Sequence, residues 1–202
     1  MGPVLLNPIR SAAPRESVRV TIHLNEEFME HQIIQATTIY NGRAFDVQKV
    51  QMRLPNGREG TYDLVQHPGA VTIVPVKDGK ILFVRQYRIG ARQTLLELPA
   101  GTLEPGEDPL PAAARETREE IGMAAGELRL LGEFYMAPGY SSEHMWVYLA
   151  TDLHPDPLAC DEDEFIEVES IPVAEVYEMT RNGQLMDGKS LAALMMAQNI
   201  IQ

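Results

Sequence analysis

Residues Gly101 to Met123 read GTLEPGEDPLPAAARETREEIGM and hold the densest chemistry in the chain. Glu104 to Asp108 (EPGED) has the composition of a loop. Asp108 followed by Pro109 predicts an N-cap and a first helical residue, because the missing proline N–H would have no intrahelical partner there. The helix is expected to run to about Ile121, with Gly122 as a C-cap able to turn left-handed. At about 100° per residue, Glu116, Glu119 and Glu120 project within one third of the helix circumference. Leu110, Ala114, Thr117 and Ile121 project on the opposite side. That side is expected to pack on a sheet, leaving the three carboxylates together on the open face. Like charges at i,i+4 repel, so the arrangement calls for a partner. Arg115 neutralises part of it, and a hard, oxygen-seeking cation such as Mg²⁺ or Mn²⁺ would neutralise the rest better than zinc. Taken alone, such a helix more often reads as a solvated acidic face laced with surface ion pairs.

Outward from this stretch the chain alternates strands and turns. Gly69–Pro75 (GAVTIVP) and Lys80–Arg88 (KILFVRQYR) are Val/Ile-rich strands separated by Asp78-Gly79, a hairpin signal. Strand character also marks Val18–Leu24, Ile33–Tyr40, Ala44–Leu54 and Gly60–His67, with turn signals at Asn41-Gly42 and Pro55-Asn56-Gly57. Beyond the helix, strands are expected at Leu128–Tyr135, Met145–Thr151 and Phe165–Ile171, then helices near Val173–Arg181 and Lys189–Ile201. Short strands interrupted by one central helix and followed by two more indicate a mixed α+β architecture. Residues 1–66 form an N-terminal extension and a small antiparallel β domain, too small to bury both its faces alone. Residues 67–202 form the larger domain.

Composition narrows the function. The chain has 202 residues with 17 basic and 29 acidic side chains, a formal net charge of −12. That balance argues against nucleic-acid or membrane-surface binding, which needs a cationic face. One cysteine, Cys160, excludes an intrachain disulfide and a multi-thiolate zinc site. Pro3, Pro8 and Pro14 break up Met1–Ser17 too much for a signal-peptide core, and no apolar run approaches a bilayer span. The expectation is a cytoplasmic protein.

The spacing Gly101, Glu107, Arg115, Glu116, Glu119, Glu120, Gly122 resembles the box of the Nudix hydrolases at every charged and glycine position. Thr117 departs from it, standing where the family has Ile, Leu or Val. The resemblance implies an α/β/α sandwich with a mixed sheet and cleavage of a nucleoside diphosphate linked to another group. It also implies that Glu116, Glu119 and Glu120, with the backbone carbonyl of Ala100, hold Mg²⁺ or Mn²⁺. Arg115 and Glu107 would orient the ligating carboxylates. Metal ions neutralise phosphate oxygens and activate water, so positioning and charge stabilisation carry such chemistry.

Similarity continues over about residues 33–202 and looks like the ADP-ribose pyrophosphatase branch. It rests on Val84–Arg88 (VRQYR), Leu95–Gly101 (LLELPAG) and Ala137–Glu143 (APGYSSE), with Pro138 sixteen residues beyond Gly122. In this branch a late acidic loop supplies a carboxylate, which implies Glu162 as general base and Glu164 as a further metal ligand; a plain acidic loop is the alternative. Arg88 is a candidate grip on substrate phosphates or one half of a surface ion pair. Arg85, three positions away, is a further substrate-binding candidate, although it projects to the opposite strand face and need not act with Arg88. Glu97 reads as a substrate-site or a structural carboxylate. Glu143 would bind a ribose hydroxyl, with Ser141 and Ser142 shaping its loop. Phe45 and Tyr62 are the aromatics placed to stack a base, with core or interface packing as the alternative for Phe45. An Arg that some relatives carry near Tyr62 is missing, and Asp63 replaces their Glu.

The expected activity is metal-dependent hydrolysis of ADP-ribose, to AMP and ribose 5-phosphate, or of a related nucleoside diphosphate sugar, by a homodimer. GDP-mannose or another sugar nucleotide is the alternative substrate. A non-catalytic module sensing ADP-ribose is the alternative class.

Overall fold

The computed structural model describes residues 30–160 and 165–201. The strand expected at Val18–Leu24, and Glu162 and Glu164, lie outside the described residues. In chain order the strands are β1 (Gln32–Asn41), β2 (Asp46–Arg53), β3 (Glu59–Gln66), β4 (Ala70–Lys77), β5 (Lys80–Arg88), β6 (Gln93–Glu97) and β7 (Ala100–Thr102). Helix α1 (Pro109–Ile121) follows, then β8 (Met123–Ala124), β9 (Glu127–Tyr135), β10 (His144–Thr151), β11 (His154–Pro155) and β12 (Glu167–Pro172). Helices α2 (Val173–Asn182) and α3 (Gly188–Ile201) complete the described fold.

A mixed sheet of seven strands forms the centre, in the order β12-β5-β4-β10-β9, with β6 beside β5 and β7 beside β4. Only β4 and β10 run parallel, Met145 opposite Ala70 through Ala150 opposite Pro75; their neighbours are antiparallel. Strand β4 is buried from Ala70 through Pro75 because both of its faces are covered. Val71 and Ile73, with Leu82, Val84, Tyr148 and Ala150, face α1 and pack on Ala112, Ala113 and Ile121. Val74, with Ile81, Phe83, Val147 and Leu149, faces the other way onto α2 and α3 through Val176, Tyr177, Ala193, Leu194 and Ala197. The period-2 alternation thus builds two cores from one sheet, and the helices close it into three layers. The Tyr177 hydroxyl donates to the carbonyl of Leu194 at 2.9 Å and ties α2 to α3.

The β4–β5 hairpin turns on Asp78 and Gly79, both at positive φ (50° and 72°), the backbone a two-residue hairpin of this hand requires. Three further strands, β1-β2-β3, form a separate antiparallel sheet. The loop 137–143 joins it to the main body. Val65 N donates to Tyr140 O at 2.8 Å, and Ser142 N returns a bond to Val65 O at 3.0 Å. The Ser142 hydroxyl also receives His67 N at 2.9 Å. Among the described residues no helix is long and apolar enough to cross a membrane.

Helix α1 has the expected bounds. Asp108 caps by backbone geometry alone, with no side-chain bond, and Gly122 closes the helix in the left-handed region at φ 68°. The packed face differs from the expectation. Leu110, in the first turn, is 48% exposed, whereas Glu116 and Glu120 are only 7% and 5% exposed. The buried stripe is Ala112, Ala113, Glu116, Thr117, Glu120 and Ile121. Two of the three carboxylates therefore lie at the helix–sheet interface, where the end of the LLELPAG segment supplies partners that helical spacing could not reveal.

Candidate active site

Strand β7 sets the floor of the site. Ala100, Gly101 and Thr102 pair with Thr72, Val71 and Ala70 of β4, so their backbone is fixed by the sheet. The preceding Pro99 is pinned by its carbonyl, which accepts Ile73 N at 2.9 Å and the Thr72 hydroxyl at 3.2 Å. Helix α1 then lays its carboxylates on this floor. Glu120 Oε2 accepts the backbone N–H of Ala100 at 2.8 Å. The Glu116 carboxylate lies directly over Gly101, in the space a β-carbon there would fill. Glycine is required at 101 because nothing larger leaves room for that carboxylate.

Arg115 gathers the acids. Its Nε and Nη2 grip Glu107 at 3.0 and 2.9 Å, while Nη1 reaches Glu116 Oε1 at 2.6 Å and Glu119 Oε2 at 2.8 Å. This two-sided use of the planar fork is one that lysine could not reproduce. Glu107 also receives the N–H of Glu104 at 3.0 Å, which closes the EPGED loop against the helix. Hydrogen bonds from Arg115 hold the Glu107 carboxyl below the usual carboxylate range, against the opposing effect of burial. The same bonds, donated by Arg115 to Glu107, raise the guanidinium above its ordinary value together with the nearby Glu116 charge, against the opposing effect of burial. Thr117 is fully buried, and its hydroxyl is satisfied by the carbonyl of Ala113 at 2.6 Å.

Two cavities adjoin at β7. One, of about 280 Å³, is walled by Gly101, Thr102, Glu104, Arg115, Glu116 and Glu119, with Arg43 and Ala44 of the β1–β2 turn across it. The other, of about 230 Å³, shares Gly101 and Thr102 and is walled by Arg88, Glu143 and Lys189, with Ala70, Ala100 and Met145. Among the described residues no three His, Cys, Asp or Glu side chains are arranged as a ready-made metal cage. Glu116 and Glu119 are drawn onto Arg115. The donor chemistry nevertheless fits a hard cation: carboxylate oxygens lie over a glycine cradle beside a strand end.

Residues 66–194, which carry these features, match the NUDIX domain. The chain belongs to the Nudix family. It is 35% identical over 173 residues to the ADP-ribose pyrophosphatase of Bacillus subtilis (strain 168), covering 84% of this chain and 94% of that protein. It is 33% identical to a methanol dehydrogenase activator of Bacillus methanolicus, over 85% of this chain and 95% of the other. Among solved structures, a crystal structure of an ADP compounds hydrolase superposes with a TM-score of 0.77 at 28% identity, covering 87% of this chain and 96% of that one.

Within the Nudix fold the other expected residues separate. Arg88 and Glu97 come together: Arg88 Nε and Nη2 each donate to a Glu97 oxygen at 2.8 Å, and Glu97 is 1% exposed. Arg88 is thus held by an ion pair and also walls the second cavity, so the two readings of it are compatible. Burial pushes the Glu97 carboxyl up, but hydrogen bonds from Arg88 and the charge of Lys189 outweigh it and leave the group below its ordinary value. Glu143 reaches the same cavity, its N–H held by the Ser141 hydroxyl at 3.1 Å. Arg85 does not reach either cavity. It pairs with Glu169 at 2.6 Å on the other face of β5, beside Tyr87 and Phe165. Phe45, in the β1–β2 turn, and Tyr62, on β3, are half-exposed and line neither cavity.

Three residues of the site were not picked out from sequence. Arg43 sits in the Asn41-Gly42 turn, where a single basic residue carries no signal. Lys189 and Asp187 open α3. The only legible trace was the Asp187-Gly-Lys-Ser190 string, whose aspartate caps the helix by accepting Ser190 N at 3.0 Å.

Proposed function

We propose that this Nudix chain hydrolyses the pyrophosphate bond of ADP-ribose, or of a related nucleoside diphosphate sugar, with the help of Mg²⁺ or Mn²⁺. One observation carries the reading. The Arg115-bound carboxylates and the Arg88–Glu143–Lys189 cavity meet at Gly101 and Thr102, so an acidic half-site and one that presents a guanidinium share one floor. A diphosphate needs both, metal-ligating oxygens on one side and guanidinium on the other.

In this reading Glu116, Glu119 and Glu120, with the carbonyl of Ala100, hold the divalent cation. When bound, the cation neutralises phosphate oxygens and lowers the pKa of a water. Arg115 and Glu107 keep the carboxylates aligned. Arg88 spends its Nε–Nη2 edge on Glu97, which leaves the Nη1 edge to receive a phosphate as a second fork. Glu143 accepts a hydroxyl of the sugar. Glu162 as general base and Glu164 as an added ligand belong to the same proposal, on the strength of the family pattern. Phe45 and Tyr62 line neither cavity here, and in this reading a second subunit's three-stranded sheet brings them over the base.

That condition links the reading to a homodimer. Every residue of β1 is exposed, including Ile33, Ile39 and Tyr40, an apolar edge surface of the kind that a second copy covers. Residues 1–66 then act as the dimerisation unit. Light scattering at micromolar concentration is expected to give twice the chain mass, and a monomer would overturn this part.

The activity is tested by incubating purified protein with ADP-ribose, GDP-mannose and other sugar nucleotides, with Mg²⁺, with Mn²⁺ and with EDTA. AMP release from ADP-ribose that requires a divalent ion supports the proposal. Preference for GDP-mannose would reassign the substrate. Tight binding of ADP-ribose without turnover would replace the enzyme with a sensor.

A further inference from the structure

Lys189 is 8% exposed, and its ammonium contacts both Glu97 Oε2 and Asp187 Oδ2, the latter at 2.9 Å. Glu97 in turn grips Arg88 through both its oxygens. The four groups form one chain, Asp187–Lys189–Glu97–Arg88, running from the start of α3 to the cavity that Arg88 and Lys189 both line. The chain is electrically neutral: two cations and two anions. Glu143 stands on the same cavity wall, and the Glu120 and Asp187 charges are close enough to act on Arg88.

Stability alone is a weak reason for such a cluster, since well-packed apolar side chains commonly replace buried ion pairs at no loss. Its place beside the cavity gives another reason. Arg88 on its own is cancelled by Glu97, and the remaining acids would leave the wall negative. A diphosphate would then meet repulsion at the one guanidinium edge built to receive it. Lys189 offsets one of these acids and holds Glu97 Oε2, the oxygen that also accepts from Arg88 Nη2, which fixes the plane in which Arg88 is presented.

We propose that Lys189 is a positioning residue that sets the charge of this wall and the direction of the Arg88 fork, and so governs the affinity for the diphosphate. This rests on the nucleoside diphosphate sugar reading. The effect runs through charge, so a neighbouring charge change should offset it. Asp187→Asn keeps the helix cap, because asparagine caps as well as aspartate, yet it removes one anion from behind the wall, beside Lys189.

The test measures kcat and KM for ADP-ribose with Mn²⁺ in the wild type, Lys189→Met, Asp187→Asn and the double variant, with melting curves for each. Lys189→Met is expected to raise KM on the order of tenfold, the size of one added unit of negative charge at protein-surface distances, while kcat moves about threefold or less. Asp187→Asn is expected to lower KM. The double variant is expected to return KM to within about threefold of the wild type. A folded Lys189→Met with unchanged KM would overturn the proposal, as would a double variant that keeps the single variant's defect. Should Lys189→Met not fold, an Asp187→Asn protein with unchanged KM overturns it. Wild-type protein that never releases AMP would sink the enzymatic reading instead. The same comparison is then made on the Kd for ADP-ribose by calorimetry, with the same expected order and the same overturning results.

Discussion

The carboxylate of Glu116 occupies the volume that a β-carbon on residue 101 would need, so Gly101 and Glu116 are two halves of one steric unit. The glycine is there for the acid. Its backbone is held by pairing with Val71 of β4, so it cannot yield by sliding away.

Gly101→Ala is therefore expected to fold with a displaced Glu116. Overpacking of this kind costs about 1–3 kcal/mol. Activity should fall further than stability, because the acid moves off the site floor. Thermal melts and AMP release check both, and a variant with full activity would contradict the steric account.

Glu120→Gln keeps an oxygen to accept the Ala100 N–H and loses only the charge. Its melting temperature is expected to stay near that of the wild type, while kcat falls about a hundredfold or more, since a ligating charge is worth several kcal/mol to such a transition state. Glu120→Ala strands a buried N–H as well and should lose a further ~1–3 kcal/mol of stability. Equal stability in the two variants would refute the role of that hydrogen bond.

The Arg115–Glu107 pair predicts a pH dependence with a definite sign. Arg115 depresses the folded-state pKa of Glu107 below the unfolded value of about 4.3. Its contribution is thus fully present above that value and is lost as pH falls through the depressed folded value. Arg115→Met removes the contribution. The gap in melting temperature between wild type and variant should be constant from neutral pH to about pH 5 and shrink below about pH 4. A gap that widens on acidification would show the opposite linkage.

Thr117→Val tests the one departure from the family pattern. The Thr117 hydroxyl bonds within its own helix to Ala113, so valine removes a satisfied donor and leaves a similar shape. Stability is expected to change by less than about 1 kcal/mol, with turnover intact. A large loss would mean that the hydroxyl reaches the site.

Local chemistry determined much of this protein from sequence alone. Asp108-Pro109 and Gly122 bounded α1, Asp78-Gly79 turned a hairpin, and the spacing from Gly101 to Gly122 named the family, because each depends on residues close along the chain. Tertiary structure decided the rest. Helical periodicity put Glu116 and Glu120 on a common face but could not say that the face is buried, since burial depends on the Ala100 N–H and the bare Gly101 that the sheet presents to it. Lys189 joins Glu97 across 92 positions of sequence, and Arg43 reaches the site from another sheet. Neither partnership leaves a periodic trace, because an ion pair needs only that two folded surfaces meet.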